Sequence, residues 1–204
     1  MKPGQFTTEM ADALQVSRSG MGVAMRSLRA ADLMETGGRG YGGADLGELD
    51  AGRVLVAYLC SDRPGERIGE RIAPLLKLSR DPDETAPPPL SLEGCLDFPS
   101  TFDLDTALYG LIMLFRDGPT FPAFREASGI GRLGDPTPPF CQVELYLSKP
   151  FAIINLNDWR YTFSPWPPPP ARNPPPEPPV DRVATISHHT IERVAEIFRA
   201  EIAT

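Results

Sequence analysis

The chain has 204 residues, of which 41% are hydrophobic and 23% charged, and its net charge is −7. These values sit near the averages for soluble globular proteins, so they exclude a wholly disordered chain, a membrane-embedded one and a wholesale polyanion binder. Proline is the departure: the 24 prolines are clustered and exceed twice the usual ~5%, which points to linkers and rigid loops inside one domain or two small ones.

The longest apolar run, Ala107 to Phe115, is broken by Gly110 and falls far short of the ~20 residues that span a bilayer. No membrane partner is expected. The opening MKPGQFTTEMADAL lacks the apolar stretch of a secretory signal, so the expected address is the cytoplasm. Cys60, Cys95 and Cys141 are an odd number without a CxxC, so neither a disulfide framework nor a zinc site is expected; all three read as reduced and buried. Charge is uneven along the chain. Residues 1–43 carry five basic against four acidic side chains, a net +1, and the remaining 161 residues carry −8. A slightly basic head on an acidic body is compatible with nucleic-acid binding by the head alone.

In chain order, Thr7 to Leu14 reads as a short helix capped by Thr7 or Thr8, with Met10, Ala13 and Leu14 as its apolar stripe. Gln15-Val16-Ser17 interrupts it, and Ser17 is placed to cap a second helix through Met21, Ala24, Met25, Leu28 and Ala31. Leu33 to Thr36 reads as a short strand, 37–43 as a glycine-rich hairpin tip and Ala44-Asp45-Leu46 as the return. From Leu49 the helical spacing resumes toward Pro64, and Glu66 to Leu78 continues it around Pro74, a pair that reads as a helical hairpin. Ser79 to Leu90 is polar and proline-rich, the expected boundary between domains.

Beyond it, Asp103 or Asp105 caps a buried helix reaching Arg116. Gln142 to Ser148 alternates apolar and polar residues, and Phe151 to Asn157 and Arg160 to Phe163 read as two further strands of an antiparallel meander. Residues 164–180 hold ten prolines, which cannot pair in a sheet and read as a polyproline II excursion. Val183 to Ser187 reads as a returning strand, and His189 to Ile202 as an amphipathic helix. His188-His189 reads as a solvated helix start, with no acidic or cysteine partner at ligand spacing.

The segment Met10-Ala11-x-x-Leu14-x-Val16-Ser17, followed by Val23, Leu28-Arg29 and Leu33-Met34, resembles the helix-turn-helix of bacterial and phage DNA-binding proteins. Its physical logic is a small Ala11 that lets two helices cross closely, Leu14 and Val16 under the turn, and Ser17 capping a helix whose first turn enters the major groove. The GGRG tip resembles the wing of the winged subclass, where glycine lets an arginine approach a backbone or a narrow minor groove. The resemblance covers Phe6 to Leu46. It implies Ser17 near a phosphate; Arg18, Ser19 and Met21 near base edges or flanking phosphates; Arg26 deeper along the helix; Arg29 on a phosphate or paired with Asp32 or Glu35; and Arg39 with Tyr41 acting from the wing. Two departures stand out. Gln15 occupies the turn position where the family often has glycine, and Gly20 and Gly22 lie inside the recognition helix at up to ~1 kcal/mol each relative to alanine.

The chain has no GxSxG, HExxH or GxxxxGK[ST] motif, so neither an enzyme activity nor a cofactor or metal is expected. The expected fold class is α+β. Residues 1–78 form a winged helix-turn-helix with a helical hairpin, 79–90 a proline-rich linker, and 91–204 an antiparallel-sheet domain with flanking helices and a proline-rich loop at 164–180. The resemblance implies site-specific binding of double-stranded DNA by a transcriptional regulator of bacterial or prophage type, a homo-oligomer with the dimer favoured, whose second domain oligomerises or senses. Two alternatives stand beside it: a phage small terminase subunit, which the arrangement also resembles, and an adaptor with no DNA role.

Overall fold

The computed structural model describes residues 1–35, 45–60, 67–81, 101–117, 140–147, 150–156, 159–165 and 183–202. Within them it is an α+β structure of six helices and one five-stranded sheet.

Helix α1 spans Pro3–Ala13 and starts earlier than the spacing predicts, because proline is well tolerated in a first helical turn. Thr7 therefore does not cap it; its hydroxyl donates to the Pro3 carbonyl at 2.7 Å. The helix ends in a left-handed turn: Gln15 has φ 56°, and the Gln15 and Val16 amides donate back to the Asp12 and Ala11 carbonyls at 3.2 and 2.9 Å. Ser17 then caps α2, Arg18–Ala30, accepting from the Gly20 amide at 3.1 Å. Helix α2 closes by the same device, with Asp32 at φ 56° and the Asp32 and Leu33 amides donating to Arg29 and Leu28 at 3.1 and 2.9 Å.

That turn corrects the expectation of a strand at Leu33. Residues 33–34 form a bend, and the Leu33 amide is already committed to α2. The expected return at Asp45-Leu46 is likewise no strand of a hairpin: Leu46 exchanges hydrogen bonds with Met1, 2.8 Å from its amide and 3.1 Å to its carbonyl. Residues 36–44, including the glycine-rich tip, lie outside the described residues.

Helix α3, Glu48–Leu59, opens with the Gly47 amide donating to the Asp50 carboxylate at 3.0 Å. Helix α4, Ile68–Leu76, contains Pro74 and packs against both α2 and α3. It leads directly into β1, Ser79–Arg80, so the start of the expected linker is a strand paired with the sheet. Helix α5, Leu104–Asp117, carries the predicted cap: Asp103 accepts from the Thr106 amide and hydroxyl at 2.9 and 2.6 Å.

The meander follows as β2 Cys141–Tyr146, β3 Phe151–Leu156 and β4 Trp159–Ser164, then β5 Val183–Ser187 and α6 His188–Ile202. Sheet order is β1-β4-β3-β2-β5, antiparallel throughout. Period-2 alternation places Cys141, Val143 and Leu145 on the buried face. Register then aligns Ile186, Val143, Ile154 and Tyr161 across four strands, all buried. Helix α5 packs on α3 and α6, and α1 reaches α6 through Phe6 and Phe198, ring centroids 6.5 Å apart. The buried apolar side chains of the helical and sheet segments form one cluster. Among the described residues no helix is long and apolar enough to cross a membrane.

Candidate nucleic-acid interface

Helix α2 has two chemically opposite faces. Met21, Ala24, Met25 and Leu28 are buried against the neighbouring helices, while Arg18, Ser19 and Arg26 are exposed and Arg29 half-buried. At 3.6 residues per turn Arg18, Gly22, Arg26 and Arg29 share one outward stripe. Gly22 leaves a gap in it: a Cβ there would lie 3.7 Å from the Arg26 Nη1.

Among the described residues no anion is firmly fixed on this stripe. Arg18 reaches Asp12 at 3.7 Å with both side chains about two-thirds exposed, 65% and 66%, a separation and exposure at which an ion pair contributes little. Among the described residues neither Arg26 nor Arg29 has an ion pair, so Arg29 is not engaged by Asp32 or Glu35. Ser17 spends its acceptor on the helix cap and lies 3.3 Å from the Ser19 hydroxyl. Both serines are exposed beside Arg18 at the start of α2.

Met21 is a correction. It is 0% exposed, its side chain pointing into the core one residue after the exposed first turn, so it has no surface to offer a base or a phosphate. Arg39 and Tyr41 lie outside the described residues. The structure thus brings Ser17, Arg18, Ser19, Arg26 and Arg29 onto one side of α2.

Two supports for that helix were not foreseen from the sequence. Helix α4 crosses α2 with Gly69 at the contact, where an added Cβ would lie 2.5 Å from the Ala31 Cβ and 2.6 Å from the Ser27 carbonyl oxygen. The Gly69 amide donates to the buried Ser27 hydroxyl at 3.1 Å. The second support is Arg53, whose Nη1 donates to the Leu33 carbonyl at 2.7 Å just beyond α2. Its Nε donates to both Asp105 carboxylate oxygens at 3.1 and 3.0 Å, and its Nη2 to Oδ2 at 2.6 Å. Those hydrogen bonds to Asp105 raise the guanidinium's pKa further above its ordinary value. Glycine between two isoleucines, Ile68 and Ile72, is a weak signal of a close crossing; nothing in the sequence signals a pair 52 positions apart.

Other titratable groups have structural surroundings. Burial raises the Asp50 carboxyl, against the Gly47 amide that lowers it. Burial also pushes the Cys141 thiol far up, and Cys60 and Cys141 are both buried; Cys95 lies outside the described residues. The rings of His188 and His189 lie with centroids 3.9 Å apart and planes tilted by 43°. Among the described residues no group of three or more His, Cys, Asp or Glu is gathered to hold a metal.

No known protein family, curated protein or solved structure matches the chain.

Proposed function

We propose that the chain binds double-stranded DNA at specific sites through α2 and acts as a transcriptional regulator of bacterial or prophage type. The observation that carries this reading is the outward stripe of α2, where Arg18, Arg26 and Arg29 stand on a capped helix with no firm anionic partner among the described residues. An arginine fork pairs bidentately with guanine or phosphate, and a helix start with exposed serine hydroxyls suits a flanking phosphate. The left-handed turn at Gln15 supports the reading, since it occupies the position where helix-turn-helix proteins often have glycine. A stripe this short offers only a handful of phosphate contacts, so useful affinity comes from a dimer reading two half-sites. The sheet-bearing half is then the part that oligomerises or senses.

The test is an electrophoretic shift on genomic fragments across a salt series, with light scattering to count subunits. Selective binding by a dimer that weakens steadily with salt supports the regulator. Selective binding by a larger ring redirects the reading to DNA packaging, and no binding at low salt removes DNA altogether.

A further inference from the structure

The sheet ends differently on its two sides. On one side stands β1, with two residues, of which Arg80 is buried against the rings of Phe102 and Tyr161. So short a strand with an inward charge is a poor template for further pairing. On the other side stands β5, whose five residues, Val183 to Ser187, include no charge, proline or glycine. Its pairing with β2 runs residue against residue from Val183 opposite Tyr146 to Ser187 opposite Gln142, with no bulge to twist the strand away. Among the described residues nothing pairs with its far edge, and Val183, Thr185 and Ser187 are exposed on the outer face of the sheet. None of the usual guards of an edge strand is built into it.

We propose that the far edge of β5 pairs with the same edge of a second copy of this chain, antiparallel about a two-fold axis at Thr185. Inner side chains stay on the inner face only if such an axis passes through a residue and not between two. Through Thr185 all five residues find partners. Val183 meets the partner's Ser187 and Ile186 meets the partner's Ala184, large against small, while the two threonines meet each other, a favourable cross-strand pair. Ile186 and Ala184 both pack with the core, so the apolar layer continues across the axis. The strand is neutral in a chain of net charge −7, and the strand pair opposes no like charges. This match of the strand to itself selects a second copy over an unrelated peptide. Five residue pairs make a small interface, so association is expected at micromolar concentration. It supplies the dimer on which the α2 reading relies, but it is carried by the strand alone and measured without DNA, so the two fail separately.

Sedimentation velocity of the full chain over a micromolar concentration series reads the assembly, and hydrogen–deuterium exchange above and below its midpoint reads β5 without any variant. A monomer–dimer equilibrium is expected, with amides of residues 183–187 exchanging more slowly in the dimer. Thr185→Lys and Thr185→Glu, at an exposed position, are expected to keep the wild-type circular dichroism and each to weaken self-association about fivefold, because like charges then face each other across the axis. Mixed in equal amounts, the two variants are expected to recover the dimer. The proposal is overturned by a chain that stays monomeric, by a ring larger than a dimer, or by β5 amides that exchange equally in both states. A Thr185→Lys protein that dimerises as the wild type does also overturns it, as does a mixture that fails to recover.

Discussion

The arginines of the α3–α5 seam and those of the α2 stripe are the same residue put to opposite uses. Arg53 and Asp105 are 21% and 15% exposed and share three hydrogen bonds, with a fourth running from Arg53 to Leu33. Nearby, Arg116 joins Glu48 at the start of α3 to its own neighbour Asp117, and Arg199 of α6 donates to the Phe115 and Arg116 carbonyls that end α5. On the α2 stripe the arginines have, among the described residues, a single loose ion pair, that of Arg18 with Asp12 at 3.7 Å. Where this protein uses guanidinium groups to hold helices together, it gives them several acceptors and shields them from water. Where it does not, the charge is left on the surface, in contact with water.

The largest expected effect comes from breaking the seam. Arg53→Ala leaves Asp105 poorly solvated without its cation and should cost about 3 kcal/mol in denaturant unfolding; an Arg53→Ala/Asp105→Ala double variant should lose less than the two single losses combined. Next comes Gly69→Ala, whose new methyl must push α4 off α2, at about 2 kcal/mol by the same measurement. The α2 stripe should behave in the opposite way. Arg18→Ala and Arg26→Ala should each change stability by less than ~0.5 kcal/mol, while each lowers the salt-dependence slope of DNA binding by about one if it contacts a phosphate. A loss of stability as large as that of Arg53→Ala would erase the contrast between the two regions.

The smallest effect is a pH slope. Burial raises the Asp50 carboxyl in the folded state, so the fold holds that proton to a higher pH than the unfolded chain does. This group's contribution is therefore greatest below the unfolded pKa and is lost as pH rises through the folded one. Asp50→Asn keeps an oxygen for the Gly47 amide and should flatten that fall in unfolding curves taken between acid and neutral pH.

Elements governed by neighbours along the chain are legible in the sequence alone. Ser17 is a cap because a hydroxyl at that spacing reaches the Gly20 amide, and Cys141, Val143 and Leu145 face the core because a strand alternates. The Asp103 cap and the strand Val183–Ser187 follow from equally local rules. The errors came where tertiary partners decide. The start of α1 follows Pro3 rather than a threonine cap, and Leu33 is claimed by α2 instead of a strand. Ser79–Arg80 joins the sheet despite its polar, proline-rich surroundings because β4 supplies Ser164 and Phe163 opposite it. On α2, helical spacing already put Met21 with Ala24, Met25 and Leu28 on the apolar stripe, which the structure buries, and left Arg18 and Arg26 exposed; placing Met21 near a base edge set the motif against that spacing, and the spacing prevailed. The Arg53–Asp105 pair had no local signature at all.

Helix α4 also has a mechanical consequence. Its nine residues are about 13.5 Å long, anchored near one end to α2 through Gly69 and continuing at the other through Leu78 into β1. There the Leu78 carbonyl accepts from the Leu104 amide at 2.9 Å. A force drawing α2 away from the body would load this strut along its length and pass to the edge of the sheet. Since β1 contributes only two residues to its pairing with β4, that edge should peel before the strut itself gives way.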